Sequence, residues 1–216
     1  MNNDFLLVVS PAYPPPFVGG SKVWTFNMVE NSGHANYEIL TSRLKDGYEE
    51  VINPNYKIHR SKYLWDSNIS NPSTRELFVS YSYIVKYIFK RSRKIKYKAV
   101  IGGAFDFANG VLIILCNLLK IPIICLGNAE EFTLTLKGKG FKNWIKRLWL
   151  KFTHKRADGF IVVCDFCKDI LSSIGVDPQK IHVVPSSINP NKISKERIDR
   201  SVGCNIISVG RIIERK

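Results

Sequence analysis

Acidic side chains are scarce in this sequence. Its 216 residues include 18 Asp and Glu against 32 Lys and Arg, which gives a formal charge of +14. Such an excess favours an anionic partner: phosphate, nucleic acid or the surface of an acidic membrane. No recognition-helix pattern or RNA-binding motif accompanies the charge. A basic nucleic-acid-binding protein is therefore the weakest alternative, and we expect no nucleic acid as a partner.

The sequence also lacks a long apolar run. The longest, residues 111–126, is interrupted by Asn117, Lys120 and Pro122 and falls short of the roughly 20 residues that a membrane-spanning helix needs. No cationic leader precedes the apolar residues 5–9, so this segment predicts a strand rather than a signal peptide. We expect a cytoplasmic protein whose contact with the inner face of the cell membrane, where it occurs, is peripheral.

Cysteine is infrequent and gives no disulfide pattern. The chain has five cysteines, an odd number, in mostly apolar surroundings. Cys164 and Cys167 form one CxxC pair without a second pair, which indicates buried thiols more than a redox or zinc site. We expect reduced thiols and no bound metal.

Short runs rich in Val and Ile alternate with helical patterns along the chain. This alternation predicts an α/β fold, a doubly wound parallel sheet with helices on both faces. The predicted strands are residues 5–9, 37–41, 56–60, 99–101, 123–126, 160–163 and 181–184. The predicted helices lie near residues 21–31, 73–93, 108–119, 141–156 and 165–173. Since ligands bind outside the carboxyl ends of such strands, the loops that follow them are the candidate site.

A polar, charged segment divides the chain near its C-terminus. We predict a Rossmann-like domain over residues 1–186, a linker over 187–203 and a second unit over 204–216 that begins with a strand at 205–209.

The loop after the first strand, residues 10–20, ends in Gly19 and Gly20 just before a helix. Glycines allow close approach of the backbone to a ligand, and a helix N-terminus offers unpaired amides to phosphate. The loop matches neither of the common phosphate-binding glycine patterns, so a simple turn is the alternative interpretation.

Three segments in the C-terminal third are more specific. They are KRADGFIVVC at residues 155–164, IGVDPQKIHVVP at 174–185 and IISVGRIIERK at 206–216. With the early Gly-Gly loop, Gly33-His34 before a strand, and the strand-helix-strand unit over 98–126, this ordered series resembles family 4 glycosyltransferases of the GT-B fold.

The resemblance implies transfer of a sugar from a nucleotide-diphosphate donor to an acceptor, with retention at the anomeric carbon and without a metal cofactor. It implies that residues 1–186 are the acceptor-binding lobe and that 204–216 begin the donor-binding lobe. By position, Arg211 and Lys216 match the basic pair on the donor diphosphate, where two cations can neutralise the leaving phosphate. Gly19 and Gly20 match the loop that closes over the same diphosphate. A solvated surface pair is the alternative for the two cations.

Two loops depart from the family pattern. Asn128 stands where many relatives carry a histidine near the reacting sugar, and an amide can hold a hydroxyl but cannot exchange its proton. We predict a positioning role for Asn128 and acceptor contacts for Asp106 and Glu130. A turn carboxylate is the alternative interpretation of Asp106.

A basic amphipathic helix is predicted over residues 141–156, with aromatic and aliphatic residues at helical spacing. The apolar stripe either packs on the sheet or lies in an anionic membrane interface. In the second case Trp144, Lys146, Arg147, Trp149 and Lys151 face the membrane, and the basic helix over 75–96 adds to the same patch.

The predicted function is the N-terminal part of a retaining hexosyltransferase that uses a nucleotide sugar and a glycan or lipid-linked acceptor in cell-surface polysaccharide synthesis. The 216 residues alone are expected to be inactive, because the donor is clamped between two lobes. The alternative is a non-catalytic single-lobe binding module or half of a split transferase.

Overall fold

A seven-stranded sheet forms the centre of the computed structural model, which describes residues 5–15, 20–33, 36–44, 47–49, 53, 56–65, 73–103, 107–127 and 140–186. The strands are β1 (Phe5–Val9), β2 (Tyr37–Ser42), β3 (Tyr56–Ser61), β4 (Tyr97–Gly103), β5 (Ile123–Gly127), β6 (Gly159–Val162) and β7 (Ile181–Val183). The helices are α1 (Gly20–Asn31), α2 (Thr74–Ser92), α3 (Phe107–Leu118), α4 (Phe141–His154) and α5 (Asp165–Ser173), and a short 3-10 turn spans Pro178–Lys180.

The strands lie in the order β3-β2-β1-β4-β5-β6-β7, and each neighbouring pair is parallel. The chain moves outward from β1 in one direction, then returns to place β4 on the other side of β1. This order confirms the predicted doubly wound α/β fold, and the predicted strands and helices of the first 186 residues are present. The predicted linker and the strand at 205–209 lie outside the described residues.

Helices cover both faces of the sheet because strand side chains alternate between them. In β1, Leu7 and Val9 belong to one buried cluster with Ile88 of α2, Ile113 of α3, Leu150 of α4 and Leu171 of α5. Val8, between them in sequence, belongs to the opposite cluster with Trp24 and Val29 of α1. The first face therefore carries most of the described helices, and the second carries α1.

The start of α2 is fixed locally by a capping box. The Ser73 hydroxyl accepts a hydrogen bond from the Glu76 backbone amide at 3.2 Å, and the Glu76 carboxylate accepts one from the Ser73 backbone amide at 2.8 Å. These bonds satisfy two of the amides that a helix N-terminus leaves without partners. No helix in the described ranges has the length and hydropathy of a membrane-spanning segment.

Candidate active site at the carboxyl edge of the sheet

The topological switch point lies between β1 and β4, where Val9, the last residue of β1, pairs with Gly102, the last but one of β4. The chain leaves β1 toward α1 on one face and leaves β4 toward α3 on the other. Connections that diverge in this way open a crevice at the carboxyl edge, which is where doubly wound sheets bind ligands. This edge is the candidate site.

The first part of the β1–α1 loop is held by the ends of β2 and β3. The Tyr13 amide donates to Thr41 Oγ1 at 3.0 Å, and the Ser10 amide donates to the Leu40 carbonyl at 3.0 Å. The Arg60 guanidinium donates to the carbonyls of Pro14 at 3.0 Å and Ser42 at 3.2 Å. The loop thus has a fixed course where it leaves the sheet, and its Pro14–Pro15 peptide is cis.

The Tyr13 side chain anchors the same loop by packing against α1. It is buried, and its ring packs against Phe26 of α1 with centroids 5.8 Å apart. Burial, together with the nearby Tyr56 and Glu30, raises the pKa of Tyr13. The Tyr56 hydroxyl donates to Glu30 at 2.5 Å. Tyr13 is therefore neutral near pH 7 and supports the loop by packing.

Gly20 is the first residue of α1 and is exposed. An added Cβ at Gly20 would meet no atom within 4 Å, so open space lies beside its backbone. This position agrees with the phosphate-seat interpretation of the loop, although a turn would also leave such space. Gly19, its partner in that prediction, lies outside the described residues.

The end of β4 is packed tightly on one side and open on the other. A Cβ at Gly102 would lie 2.7 Å from Asn109 Oδ1 and 2.9 Å from Leu112 Cδ2, so glycine lets α3 approach the strand. Gly103, the next residue, has open space at its Cβ position. Asn109 is buried at the switch point. Sequence reasoning missed it, and its place two residues into a helix after a Gly-Gly strand end was the available signal.

Of the seven residues predicted to position the reacting sugar or to bind donor or acceptor, only Gly20 is described. The other six are Gly19, Asp106, Asn128, Glu130, Arg211 and Lys216. The strands that precede Asp106 and Asn128 in sequence, β4 and β5, are neighbours, with Gly103 paired to Leu126. The roles of these predicted site residues stay predictions.

Helix α4 lies alongside α3 in the same direction. The Asn117 side-chain amide donates to the Arg156 carbonyl at 3.2 Å, and a Cβ at Gly110 would lie 2.5 Å from Trp149 Nε1. In both contacts the α3 residue and its partner are 39 positions apart in sequence, as expected for two helices that run in the same direction. Trp149 is thus half-buried against α3, whereas Trp144 is 52% exposed. Lys146 and Arg147 are partly buried and Lys151 is exposed.

The two interpretations of the apolar stripe are packing on the sheet and contact with a membrane. Packing within the fold accounts for little of the stripe, since Trp149 is its one partly buried member. Phe141, Trp144, Ile145, Leu148 and Phe152 are all exposed, and α4 instead buries Leu150, Thr153 and His154. The reason is the close contact at Gly110, which turns the small residue Thr153 toward α3.

Among the described residues, no group of His, Cys, Asp or Glu side chains could hold a metal ion. The Cys164 and Cys167 sulfurs lie 3.5 Å apart, and Cys167 is buried. Burial raises the pKa of Cys167 to about 12, with contributions from Cys164. Cys167 is therefore a protonated thiol near neutral pH.

The geometry can be compared with known proteins. The family model named Glycosyltransferase Family 4 matches residues 18–192, which is most of the chain. The chain belongs to this glycosyltransferase family. The match includes α1, β4 with its Gly102-Gly103 end, and α4, and it confirms the resemblance noted from the sequence. No curated protein sequence matches the chain.

Solved structures share the fold of this family 4 member at low identity. Sucrose-phosphate synthase from Thermosynechococcus elongatus matches with a TM-score of 0.57 and 13% identity, over 84% of this chain and 48% of that one. UGT2 from Phytolacca americana, solved with UDP-2fluoro-glucose and pterostilbene, matches with a TM-score of 0.55 and 11% identity, over 86% and 54%.

A third match has a different reaction. UDP-N-acetylglucosamine 2-epimerase from Rickettsia bellii matches with a TM-score of 0.52 and 14% identity, over 85% of this chain and 44% of that one. The fold is therefore shared by enzymes that move a sugar and enzymes that isomerise one. The family 4 chain spans about half the length of these proteins.

Proposed function

We propose that this chain is the acceptor-side lobe of a retaining hexosyltransferase, which moves a sugar from a nucleotide diphosphate to a glycan or lipid-linked acceptor in cell-surface polysaccharide synthesis. The observation that carries the proposal is the family match over residues 18–192, which includes α1 and the strands and helices from β2 to β7. The neighbour solved with UDP-2fluoro-glucose and pterostilbene supports a nucleotide sugar as donor here. The active protein requires a second lobe beyond the 1–186 domain.

In this proposal the donor diphosphate lies between the lobes. Gly19 and Gly20 approach it from the first lobe, and Arg211 and Lys216 neutralise the charge that develops as the nucleotide leaves. These cations take the place that a metal holds in other transferases. The acceptor occupies the carboxyl edge, where Asp106 and Glu130 hold its hydroxyls and Asn128 positions the reacting sugar.

The anchored β1–α1 loop supports this arrangement. Transfer needs groups held within a fraction of an ångström. The hydrogen bond that Thr41 accepts from the loop and the one that Arg60 donates to it fix the loop where it begins. We place the protein in the cytoplasm, at the inner face of the membrane where a lipid-linked acceptor is accessible.

The test is release of nucleotide diphosphate by the full native protein, with a panel of nucleotide sugars and a membrane extract as acceptor. Arg211→Ala and Lys216→Ala should each lower kcat by about 100-fold, because each removes one charge from the leaving group. Lys195→Ala, in the predicted linker, removes the same charge and should leave kcat within about twofold of the native value. An equal change in kcat for all three variants would contradict the role of Arg211 and Lys216 at the donor diphosphate.

A further inference from the structure

Helix α4 presents an unusual outer face. Five large apolar side chains, 46–73% exposed, form what we call the α4 stripe: Phe141, Trp144, Ile145, Leu148 and Phe152. Their spacing of three and four residues places them on one side of the helix. An amphipathic helix normally turns such a stripe toward the core. Here the inward side is Leu150, Thr153 and His154, so the stripe is a second apolar face.

The stripe extends to the candidate site. Helix α3 follows β4, so α3 begins at the carboxyl edge of the sheet. Helix α4 leads into β6, so α4 ends at the opposite edge and also begins on the carboxyl side. The constant offset between the two helices places residue 146 beside the first residue of α3. The α4 residues before it therefore project past α3 on the side where ligands bind.

The surroundings of the stripe carry charge of one sign. Residues 141–156 include six Lys and Arg and no Asp or Glu. The Arg156 guanidinium lies 3.7 Å from the centre of the Phe152 ring, so cation and aromatic surface are in direct contact. The Phe141 and Trp144 rings stack with centroids 5.8 Å apart and form a flat aromatic end to the stripe.

We propose that the α4 stripe docks on an anionic lipid bilayer. The apolar side chains enter the headgroup region while the lysines and arginines beside them contact lipid phosphates. Charge complementarity decides the occupant: a second copy of the chain would bring a second helix with six positive and no negative side chains to the contact. Docking holds the carboxyl edge at the membrane surface, where the lipid-linked acceptor of the proposed function is embedded. The membrane contact itself requires no sugar transfer.

The experiment is vesicle flotation of the full native protein with phosphatidylcholine alone and with equal parts phosphatidylcholine and phosphatidylglycerol. We expect binding to the mixed vesicles and little to the neutral ones. Trp144→Ser with Leu148→Ser should lower the partition coefficient at least about 10-fold, since both side chains are exposed apolar surface. Lys151→Gln with Arg156→Gln, two exposed cations beside the stripe, should weaken binding and reduce its salt dependence.

Leu118→Ser is the matched control. Leu118 is 77% exposed and lies at the end of α3, on the opposite edge of the sheet. It should bind vesicles like the native protein. Circular dichroism and thermal melting of each variant verify that the fold is retained, as expected for exposed positions.

Three results would overturn the proposal: equal partition to neutral and anionic vesicles, no partition to either, or the same loss for Leu118→Ser as for the stripe variant. A dimer in sedimentation velocity that the stripe variant abolishes, without vesicle binding, would assign the stripe to self-association.

Sugar transfer to a water-soluble acceptor analogue separates this proposal from the proposed function. The variant with Trp144→Ser and Leu148→Ser should retain that transfer. Vesicle binding without any transfer would leave the docking intact and remove the proposed function.

Discussion

Arg91 Nη2 lies 2.5 Å from Glu38 Oε1 and joins the last turn of α2 to the second residue of β2. Glu38 is 1% exposed, and its carboxylate also accepts the hydroxyls of Tyr97 at 2.5 Å and Tyr87 at 3.0 Å. His59 Nε2 lies 2.7 Å from the same oxygen as Arg91. One buried carboxylate thus connects three neighbouring or nearby strands, β2, β3 and β4, to helix α2.

Glu38→Gln should lower the free energy of unfolding by about 3 kcal/mol, because it leaves the buried charge cluster without its anion. Urea denaturation measures the loss. Glu76→Gln is the control: Glu76 is exposed in the α2 capping box, and its replacement should lower stability much less than Glu38→Gln does, because Gln also serves at this position of a capping box. Equal losses for the two variants would contradict the importance of the cluster.

Acid should remove the stabilisation by Glu38 in a defined range. Burial alone raises the pKa of Glu38, but hydrogen bonds from His59, Tyr97 and Arg91 outweigh it and lower the pKa from 4.5 to about 2. Since the folded pKa is below the unfolded value, the stabilisation is complete above pH 4.5 and is lost as the pH falls toward 2. Stability against pH should be flatter below pH 4.5 in Glu38→Gln; an unchanged slope would contradict the assignment.

His154 should produce a second acid transition at higher pH. Its ring is buried and stacks on Phe160, and burial outweighs the bond to the Leu150 carbonyl and lowers the pKa from 6.5 to about 4. The unfolded chain binds the proton first, so stability falls as the pH drops from 6.5 to 4, by about 3 kcal/mol at most. In His154→Gln this slope should disappear. A native slope of zero between these values would disprove the neutral buried ring.

The contact between α3 and α4 depends on Gly110. Gly110→Ala places a methyl 2.5 Å from Trp149 Nε1 and 2.9 Å from Thr153 Oγ1, which forces the helices apart. The expected loss is about 1–3 kcal/mol in urea denaturation. Gly103→Ala meets no atom within 4 Å and is the matched control, with a change below about 0.5 kcal/mol. A neutral Gly110→Ala would mean that the helices do not pack at this point.

Gly20→Val should separate binding from stability. Its side chain enters open space, so the melting temperature should stay near that of the native protein. If the donor diphosphate approaches this backbone, KM for the nucleotide sugar rises at least about 10-fold, because a side chain blocks close contact. Asn31→Val, at the exposed other end of α1, should leave KM unchanged. An unchanged KM in Gly20→Val would make the loop an ordinary turn.

The fold could be predicted closely from local patterns. Strand β1 and helix α5 begin and end at the predicted residues, since an apolar run and a clear helical period define them. Strand β4 is longer than predicted, Tyr97–Gly103 rather than 99–101. Its flanking Tyr97-Lys98 and Gly102-Gly103 lack the Val and Ile pattern, and pairing with β1 and β5 extends the strand.

The site and the face of α4 depend on contacts that local patterns do not contain. Arg60 reaches the β1–α1 loop across 46 residues of sequence, and no spacing rule identifies such an anchor. The orientation of α4 follows from Gly110, which lies on another helix. An amphipathic pattern predicts that a helix has an apolar side, but the neighbouring helix decides whether that side is buried.

The most direct test of the central claim is to follow the sugar itself. The full native protein is incubated with a nucleotide-diphosphate sugar and an acceptor extract, and the anomeric proton is observed by NMR from the earliest turnover. We predict that the sugar leaves the nucleotide and appears on the acceptor with its anomeric configuration retained. A sugar that is isomerised while still attached to the nucleotide, or one that is transferred with inversion, would contradict the account.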